Sequence, residues 1–337
     1  MRIASAVGVV SSALWLPRGQ CTVEEAVIDG ILSDAAQAPP DVDGVPQSRG
    51  ETPEFMAAEA ARLALSRAGS TAQDVDILAY AWTLRIGYEF YSPAHRLAKE
   101  LSLGDCSAFS LCQACNGGAL AVESIVMRML TDERVHLGVA VSSDTYEEFG
   151  SRRWAEPTMM VGGDGAAAVV LTRGPGELAL RSLATRGHTC ADILEVGQGM
   201  RHRVPGTGGA ARPPSETELK EAAHSVEKFG ASLSAVVHEA LKDADLGADD
   251  QGIAAVLLPR LATPFTDAFV RPAMPEALRD KAYVADPHTG HLGAGDALAN
   301  IEYAQRELDL APGQYLLVVN GGQGVTSSCM VLTPESR

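Results

Sequence analysis

Residues 107–125 read Ser-Ala-Phe-Ser-Leu-Cys-Gln-Ala-Cys-Asn-Gly-Gly-Ala-Leu-Ala-Val-Glu-Ser-Ile. An apolar strand entry, Ala108 to Leu111, runs into a turn of small residues, and an amphipathic pattern then predicts a helix ending near Leu130. Cys115 falls where that helix begins. The first N–H groups of a helix lack intrahelical partners, and the positive end of the helix dipole favours a thiolate. Position alone makes Cys115 a candidate nucleophile. A free cysteine is more commonly a small core residue, so the assignment needs support from elsewhere in the chain.

The 337 residues suffice for two ordinary domains or one large duplicated one. With 46% hydrophobic, 21% charged and 5% aromatic residues, the composition is that of a soluble α/β protein with a full core. A formal charge of −16 argues against nucleic acid and against anionic membrane surfaces. An acidic carrier protein would need a local basic patch, and Arg152–Arg153 and Arg201-His202-Arg203 are the candidates. The six cysteines (21, 106, 112, 115, 190 and 329) show no metal-ligand spacing. Cys112 and Cys115 form a Cys-x-x-Cys, but without the flanking pattern of a redox or zinc site. No stretch approaches transmembrane length. Residues 1–10 mimic a short signal peptide, yet serines interrupt them and they read as a buried strand, so the cytoplasm is the expected compartment.

Along the chain, a strand over Ile3–Val10 is followed by a capped helix near Thr22-Val23-Glu24-Glu25 and by a Pro-, Gly- and Asp-rich loop over 37–53. Helices are predicted over Glu54–Arg67 and Ser92–Leu101, and strands over Ile77–Trp82, Leu137–Ser142 and the run after Gly163. The chain also repeats itself. At an offset of 176 residues Ala64-Leu65 matches Ala240-Leu241, Asp74 matches Asp250, Ile77 matches Ile253, Gly117 matches Gly293 and Ile125 matches Ile301. Both copies read as helix, acidic turn, apolar strand. At the same offset Cys115 falls on His291, within Asp286-Pro287-His288-Thr289-Gly290-His291-Leu292-Gly293. If the halves pack about a pseudo-twofold axis, the two helix starts face each other and join a cysteine to a histidine, the usual means of activating a thiol. The closing strand Tyr315–Val319 runs into Asn320-Gly321-Gly322-Gln323-Gly324, a glycine turn able to aim a backbone N–H at an oxyanion.

These pieces resemble the thiolase superfamily, specifically the β-ketoacyl-acyl-carrier-protein synthase III branch, over nearly the whole chain. Gln113-Ala114-Cys115-Asn116-Gly117 is similar to that family's nucleophile turn, Gly163-Asp164-Gly165-Ala166-Ala167-Ala168 to its Gly-Asp-Gly-Ala strand entry, and Gly321-Gly322-Gln323-Gly324 to its C-terminal glycine loop. The resemblance implies an α/β fold of five layers, α-β-α-β-α, built from two duplicated halves, 1–175 and 176–337, and a homodimer. It implies an acyl thioester of coenzyme A or of carrier-borne phosphopantetheine as substrate, with no cofactor and no metal.

Where the chain departs from the family, the chemistry changes. Decarboxylating synthases carry Pro-His-Gln-Ala-Asn and Gly-Asn-Thr-Ser, whose His and Asn hold the enolate left by carbon dioxide. Here these stretches read Pro259-Arg260-Leu261-Ala262-Thr263 and Gly290-His291-Leu292-Gly293. The decarboxylation pair is dismantled and a Cys–His pair takes its place. That pattern resembles the branch that loads starter units or moves acyl groups in antibiotic and polyketide pathways. It implies acyl transfer through Cys115, with the Cys115 and Gly322 N–H groups holding the oxyanion and His291 deprotonating a hydroxyl, amine or thiol acceptor. Asp296 and Asp267 are the two candidates to orient His291, and Asp296, five residues on along the following helix, has an awkward offset for direct contact. Cys112, His288, Thr263 and Asn320 are expected around the substrate pocket, Trp154 at the pocket or a dimer contact, and loops 84–92, 144–160 and 195–215 set the pocket's width. A carbon–carbon-forming synthase, a silent partner subunit and a thioesterase are the competing readings. Release of carbon dioxide would mark the synthase.

Overall fold

The computed structural model describes residues 1–3, 7–84, 91–146, 153–154, 157–188 and 216–335. Ten of its strands form one sheet: β1 (Val7–Trp15), β4 (Ile77–Ala81), β5 (Ser107–Leu111), β6 (Leu137–Asp144), β7 (Gly165–Arg173), β8 (Leu178–Gly187), β9 (Ile253–Leu258), β10 (Ala282–Val284), β11 (Tyr315–Gly322) and β12 (Thr326–Pro334). Its order is β10-β9-β11-β12-β8-β1-β7-β6-β4-β5. Read outward from the centre, β1-β7-β6-β4-β5 and β8-β12-β11-β9-β10 are the same series, with the same parallel and antiparallel pairings. The two sets meet where Gly8 and Val9 of β1 pair with Ala179 and Leu178 of β8. β4, Ile-Leu-Ala-Tyr-Ala, is buried along its whole length because helices cover both faces, which is why it reads as a continuous apolar run.

Three hydrophobic cores separate five layers. On the outer face of the first set lie α2 (Pro53–Arg67) and α3 (Pro93–Glu100), where Met56, Ala60, Ala64 and Leu97 pack on Leu78, Val139 and Val170. Thr52 caps α2 by accepting from Phe55 N at 3.2 Å, and Pro53 occupies its first turn. Between the two sets lie α4 (Gly117–Thr131) and α6 (Asp296–Glu307), whose Ala121, Ile125, Ala297 and Ile301 meet Ile77, Leu171, Leu257 and Val318. The outer face of the second set is covered by α5 (Glu216–Asp243) through Leu233, Val236 and Val237. The central helices cross closely: a Cβ on Gly118 would lie 2.4 Å from the carbonyl oxygen of Ala294, its own repeat mate.

Two local readings are corrected. The first strand outlasts its apolar run, because Ser11 and Ser12 find acceptors in Ala64 O (2.7 Å) and Gln305 Oε1 (2.5 Å) and are buried without loss. The loop over 37–53 contains β3 (Gly44–Pro46), which pairs with β2 (Gln20–Thr22) just before the small helix α1 (Val23–Ile28). That helix has the capping box its sequence signals, Thr22 with Glu25.

Candidate active site

The nucleophile turn is held in a backbone shape that residues other than glycine seldom adopt. Ala114, just before Cys115, has φ 44°, and its repeat mate Gly290, just before His291, has φ 62°. A left-handed alanine costs about 1–2 kcal/mol, so the elbow must be held from outside. Asn320 Nδ2 donates to the Cys115 carbonyl at 2.9 Å, and Asn116 Nδ2 donates to Ser328 Oγ at 2.9 Å. The histidine turn is gripped likewise, with His291 N donating to Val161 O (2.8 Å) and Gly163 N donating to His291 O (3.0 Å).

Across the pseudo-twofold axis, His291 Nε2 lies 3.0 Å from Cys115 Sγ, and His291 Nδ1 lies 2.7 Å from Asp296 Oδ2. An ionised carboxylate only accepts, so Nδ1 carries a proton and Nε2 is left to exchange one with the thiol. Asp296 is wholly buried. It accepts further bonds from Arg260 N (2.8 Å) and Leu292 N (2.9 Å). Burial alone would lower the His291 pKa, but the charges of Asp296 and Cys115, with the hydrogen bonds to both, raise it well above the usual value.

The five-residue offset works because residues 291–295 are not α-helix. Gly293, at φ +60°, and the 3-10 turn Gly293–Gly295 bend the chain so that Asp296, first residue of α6, points back at the imidazole. A β-carbon at 293 would lie 2.1 Å from Asp144 Oδ2. Asp144, buried at the end of β6, accepts from Ala294 N (2.9 Å), Leu84 N (2.8 Å) and Thr83 N (3.0 Å). Burial raises its carboxyl to about 6 against the lowering effect of those N–H groups and of His291.

Gly322 lies beside the nucleophile: a Cβ there would meet Asn116 N at 2.7 Å and Cys115 N at 3.0 Å. Only a glycine leaves that space open beside the elbow's N–H groups.

Other candidates lie elsewhere. Asp267 is half-exposed, pairs with Arg271 at 2.9 Å, and does not reach His291. Cys112 is exposed, and so is His288 on the turn Pro287–Thr289, so neither joins the Cys115–His291 pair. Thr263 donates to Asp41, and Asn320 serves the elbow from beneath rather than facing a pocket. Trp154 is buried in a small core with Cys21, Val45 and Val161, and its indole N–H points at the Cys21 sulfur. Little of the ring is left on the surface of the chain. Arg153 is equally buried and bridges Asp164 (3.0 Å), Pro46 O and Gly162 O, so it is no docking patch. Arg152, Arg201-His202-Arg203 and most of the three pocket loops lie outside the described residues. Among the described residues no cluster of His, Cys, Asp and Glu is arranged to hold a metal ion.

Arg260, at the position of the family's histidine, is buried and turned away. Its Nε donates to Asn300 Oδ1 (3.0 Å), one terminal nitrogen to Thr289 Oγ1 (2.6 Å) and the other to Ala299 O (3.1 Å). Sequence reasoning marked the substitution but not its purpose. It also missed Asn116 and Asp144, of which only Asp144, a carboxylate closing an apolar strand, left a signal.

No protein-family model matches the chain. The β-ketoacyl-[acyl-carrier-protein] synthase III of Rhizorhabdus wittichii is 28% identical over 283 residues, covering 82% of each chain. The protein of that name from Sphingopyxis alaskensis is 32% identical over 206 residues, and the match spans 59% of this chain and 60% of that relative. The solved structure of ChlB3, an acyltransferase, superposes with a TM-score of 0.80 at 25% identity and covers 98% of both chains. With the five layers and the facing elbows, these likenesses define an enzyme of the thiolase fold. The chain has the thiolase fold and is similar over most of its length to β-ketoacyl-[acyl-carrier-protein] synthases III.

Proposed function

We propose that this enzyme transfers an acyl group from a thioester to a hydroxyl, amine or thiol acceptor without decarboxylation, through an acyl-Cys115 intermediate. The observation that carries the reading is the pair of substitutions at the enolate site. Arg260 spends its donors on α6 and Thr289, and position 291 holds a base already engaged by Asp296 and Cys115. Two side-chain donors converging on an enolate oxygen are missing from those two positions, whereas a Cys–His–Asp relay needs none. The likeness to a protein described as an acyltransferase supports the same reading.

The steps follow from the geometry. The Cys115 proton rests on His291 Nε2 as Sγ attacks the thioester carbonyl, and the Cys115 and Gly322 N–H groups hold the oxyanion. The carbon–sulfur bond of the donor breaks, and its thiolate leaves with the proton from His291. The acceptor then gives a proton to Nε2 and attacks the acyl carbon, and Cys115 departs as the thiol. Asp296 keeps Nδ1 protonated and offsets the imidazolium charge in both halves. The donor is a thioester of coenzyme A or of an acyl carrier protein, with no further cofactor. The setting is polyketide or antibiotic assembly, and the working form is a cytoplasmic homodimer.

The curated relatives, named β-ketoacyl-[acyl-carrier-protein] synthase III, favour a second reading, a decarboxylating synthase making a starter-unit carbon–carbon bond. Intact-protein mass spectrometry separates the two. The protein is incubated with acetyl, malonyl and aromatic acyl thioesters on coenzyme A and on carrier protein, beside Cys115→Ala. Acyl transfer predicts an adduct absent from Cys115→Ala that is discharged by a nucleophilic acceptor. A lengthened carbon chain with loss of carbon dioxide would replace it with the synthase.

A further inference from the structure

Tyr146 stands two residues beyond β6 and is almost fully buried. Its ring lies flat on Gly162, where a Cβ would meet three ring carbons at 2.5–2.7 Å. Gly162 belongs to the strip of backbone, Val161–Gly163, that grips His291 from both sides, and the ring centroids of Tyr146 and His291 are 6.5 Å apart. The backbone N–H of Tyr146 donates to Asp164 Oδ1 at 2.9 Å, and Asp164 is fixed in turn by the buried Arg153. The phenol is thus held by the framework that positions the catalytic imidazole.

Its hydroxyl, by contrast, is unpaired among the described residues. It is fully buried and has no hydrogen-bond partner among the described residues, the Cys115 sulfur included. Buried hydroxyls without partners are rare in folded proteins because water's hydrogen bonds are lost with no replacement. Burial, then the nearby charges of Cys115, Asp144, Asp296 and Asp164, keep the phenol protonated well beyond neutral pH. It is a neutral donor, rigidly held, on a ring beside the catalytic imidazole.

We propose that the Tyr146 hydroxyl donates a hydrogen bond to a polar atom of the acyl group carried by Cys115, and thereby selects oxygen-bearing acyl donors over plain alkyl or aryl ones. This rests on the acyl-Cys115 reading above. A site that hydrogen-bonds its substrate rejects the analogue lacking the polar atom, because its own buried donor is then left unpaired.

The test pairs acyl N-acetylcysteamine thioesters of matched size: butyryl with 3-hydroxybutyryl and 3-oxobutyryl, and benzoyl with 2-hydroxybenzoyl. Rates of Cys115 acylation are followed by intact-protein mass for wild type and for Tyr146→Phe, which keeps the ring on Gly162 and removes only the hydroxyl. The expected result is faster loading of at least one oxygenated member by wild type, and loss of about tenfold of that preference in Tyr146→Phe. Loading of the unsubstituted partner should be unchanged or improved. A variant that keeps the preference, or slows both members of a pair equally, overturns the inference and leaves acyl transfer standing. Failure of wild type to load any thioester on Cys115 removes both.

Discussion

Replacing Asp296 by asparagine exchanges one atom and removes one charge, and the structure says what each should cost. The carboxylate accepts three N–H donors, from His291 and Arg260 on Oδ2 and from Leu292 on Oδ1. An amide satisfies two of them by putting its oxygen at the Oδ2 position, which leaves its NH2 facing the Leu292 N–H. One unsatisfied buried donor costs about 1–3 kcal/mol, so melting should fall by a few degrees and the fold should survive. The imidazole keeps its tautomer in this arrangement but loses the negative charge beside it. At a separation of about 4 Å and an effective dielectric constant of about 20, that charge is worth about 4 kcal/mol to an imidazolium. Acylation should therefore slow by about a thousandfold. The limb of the pH–rate profile belonging to His291 should move to lower pH, because Asp296 is the chief group holding that pKa up against burial. Rapid-quench acylation followed by intact mass, at a series of pH values, measures both. A folded Asp296→Asn enzyme that acylates within about threefold of wild type, with an unmoved pH limb, would refute the role assigned to this carboxylate.

Three further outcomes are expected. Gly322→Ala places a methyl against the Cys115 and Asn116 nitrogens, and single-turnover acylation should drop by about 10²–10³-fold; a loss under threefold would remove Gly322 from the oxyanion site. Arg260→Met strips Asn300, Thr289 and Ala299 of a buried cationic donor, so denaturant unfolding should report a loss of about 3 kcal/mol or more, whereas an unchanged midpoint would contradict its role as a clamp on α6. Asp144 is raised from 3.8 to about 6 in the folded protein. The folded chain then holds that proton more tightly than the unfolded one, so this group's contribution to stability falls as pH rises from about 4 to about 6, by about 3 kcal/mol. Thermal unfolding of wild type and Asp144→Asn across that window should show the difference between them narrowing or reversing as pH rises, and a constant difference would contradict it.

What could be read in the sequence was whatever repeats or alternates. The offset that carries Cys115 onto His291 joins two elbows that each place a positive φ just before the functional residue, at Ala114 and Gly290, and it survives as matched residues. The apolar run of β4 and the capping box at Thr22 are local and equally plain. Contacts made by a bend were hidden. Asp296 looked badly placed on an ideal helix because nothing in the text of the chain says that residues 291–295 turn before the helix starts. Asp267 looked equally good because its half-buried partner Arg271 gave it no visible alternative duty. Trp154 and Arg153 sit in a stretch that reads as polar loop, yet both are buried by contacts with residues more than a hundred positions earlier, Cys21 and Pro46. Arg260 was legible as a lost histidine, but its three acceptors come from elements brought together only by folding.

The most direct test of the central claim is the mass of the adduct formed with a malonyl thioester, with the headspace assayed for carbon dioxide. Acyl transfer by Cys115, His291 and Asp296 predicts that any malonyl group loaded stays whole on Cys115, that no carbon dioxide appears, and that Cys115→Ala carries nothing. Carbon dioxide released in step with a carbon–carbon-extended product would contradict it.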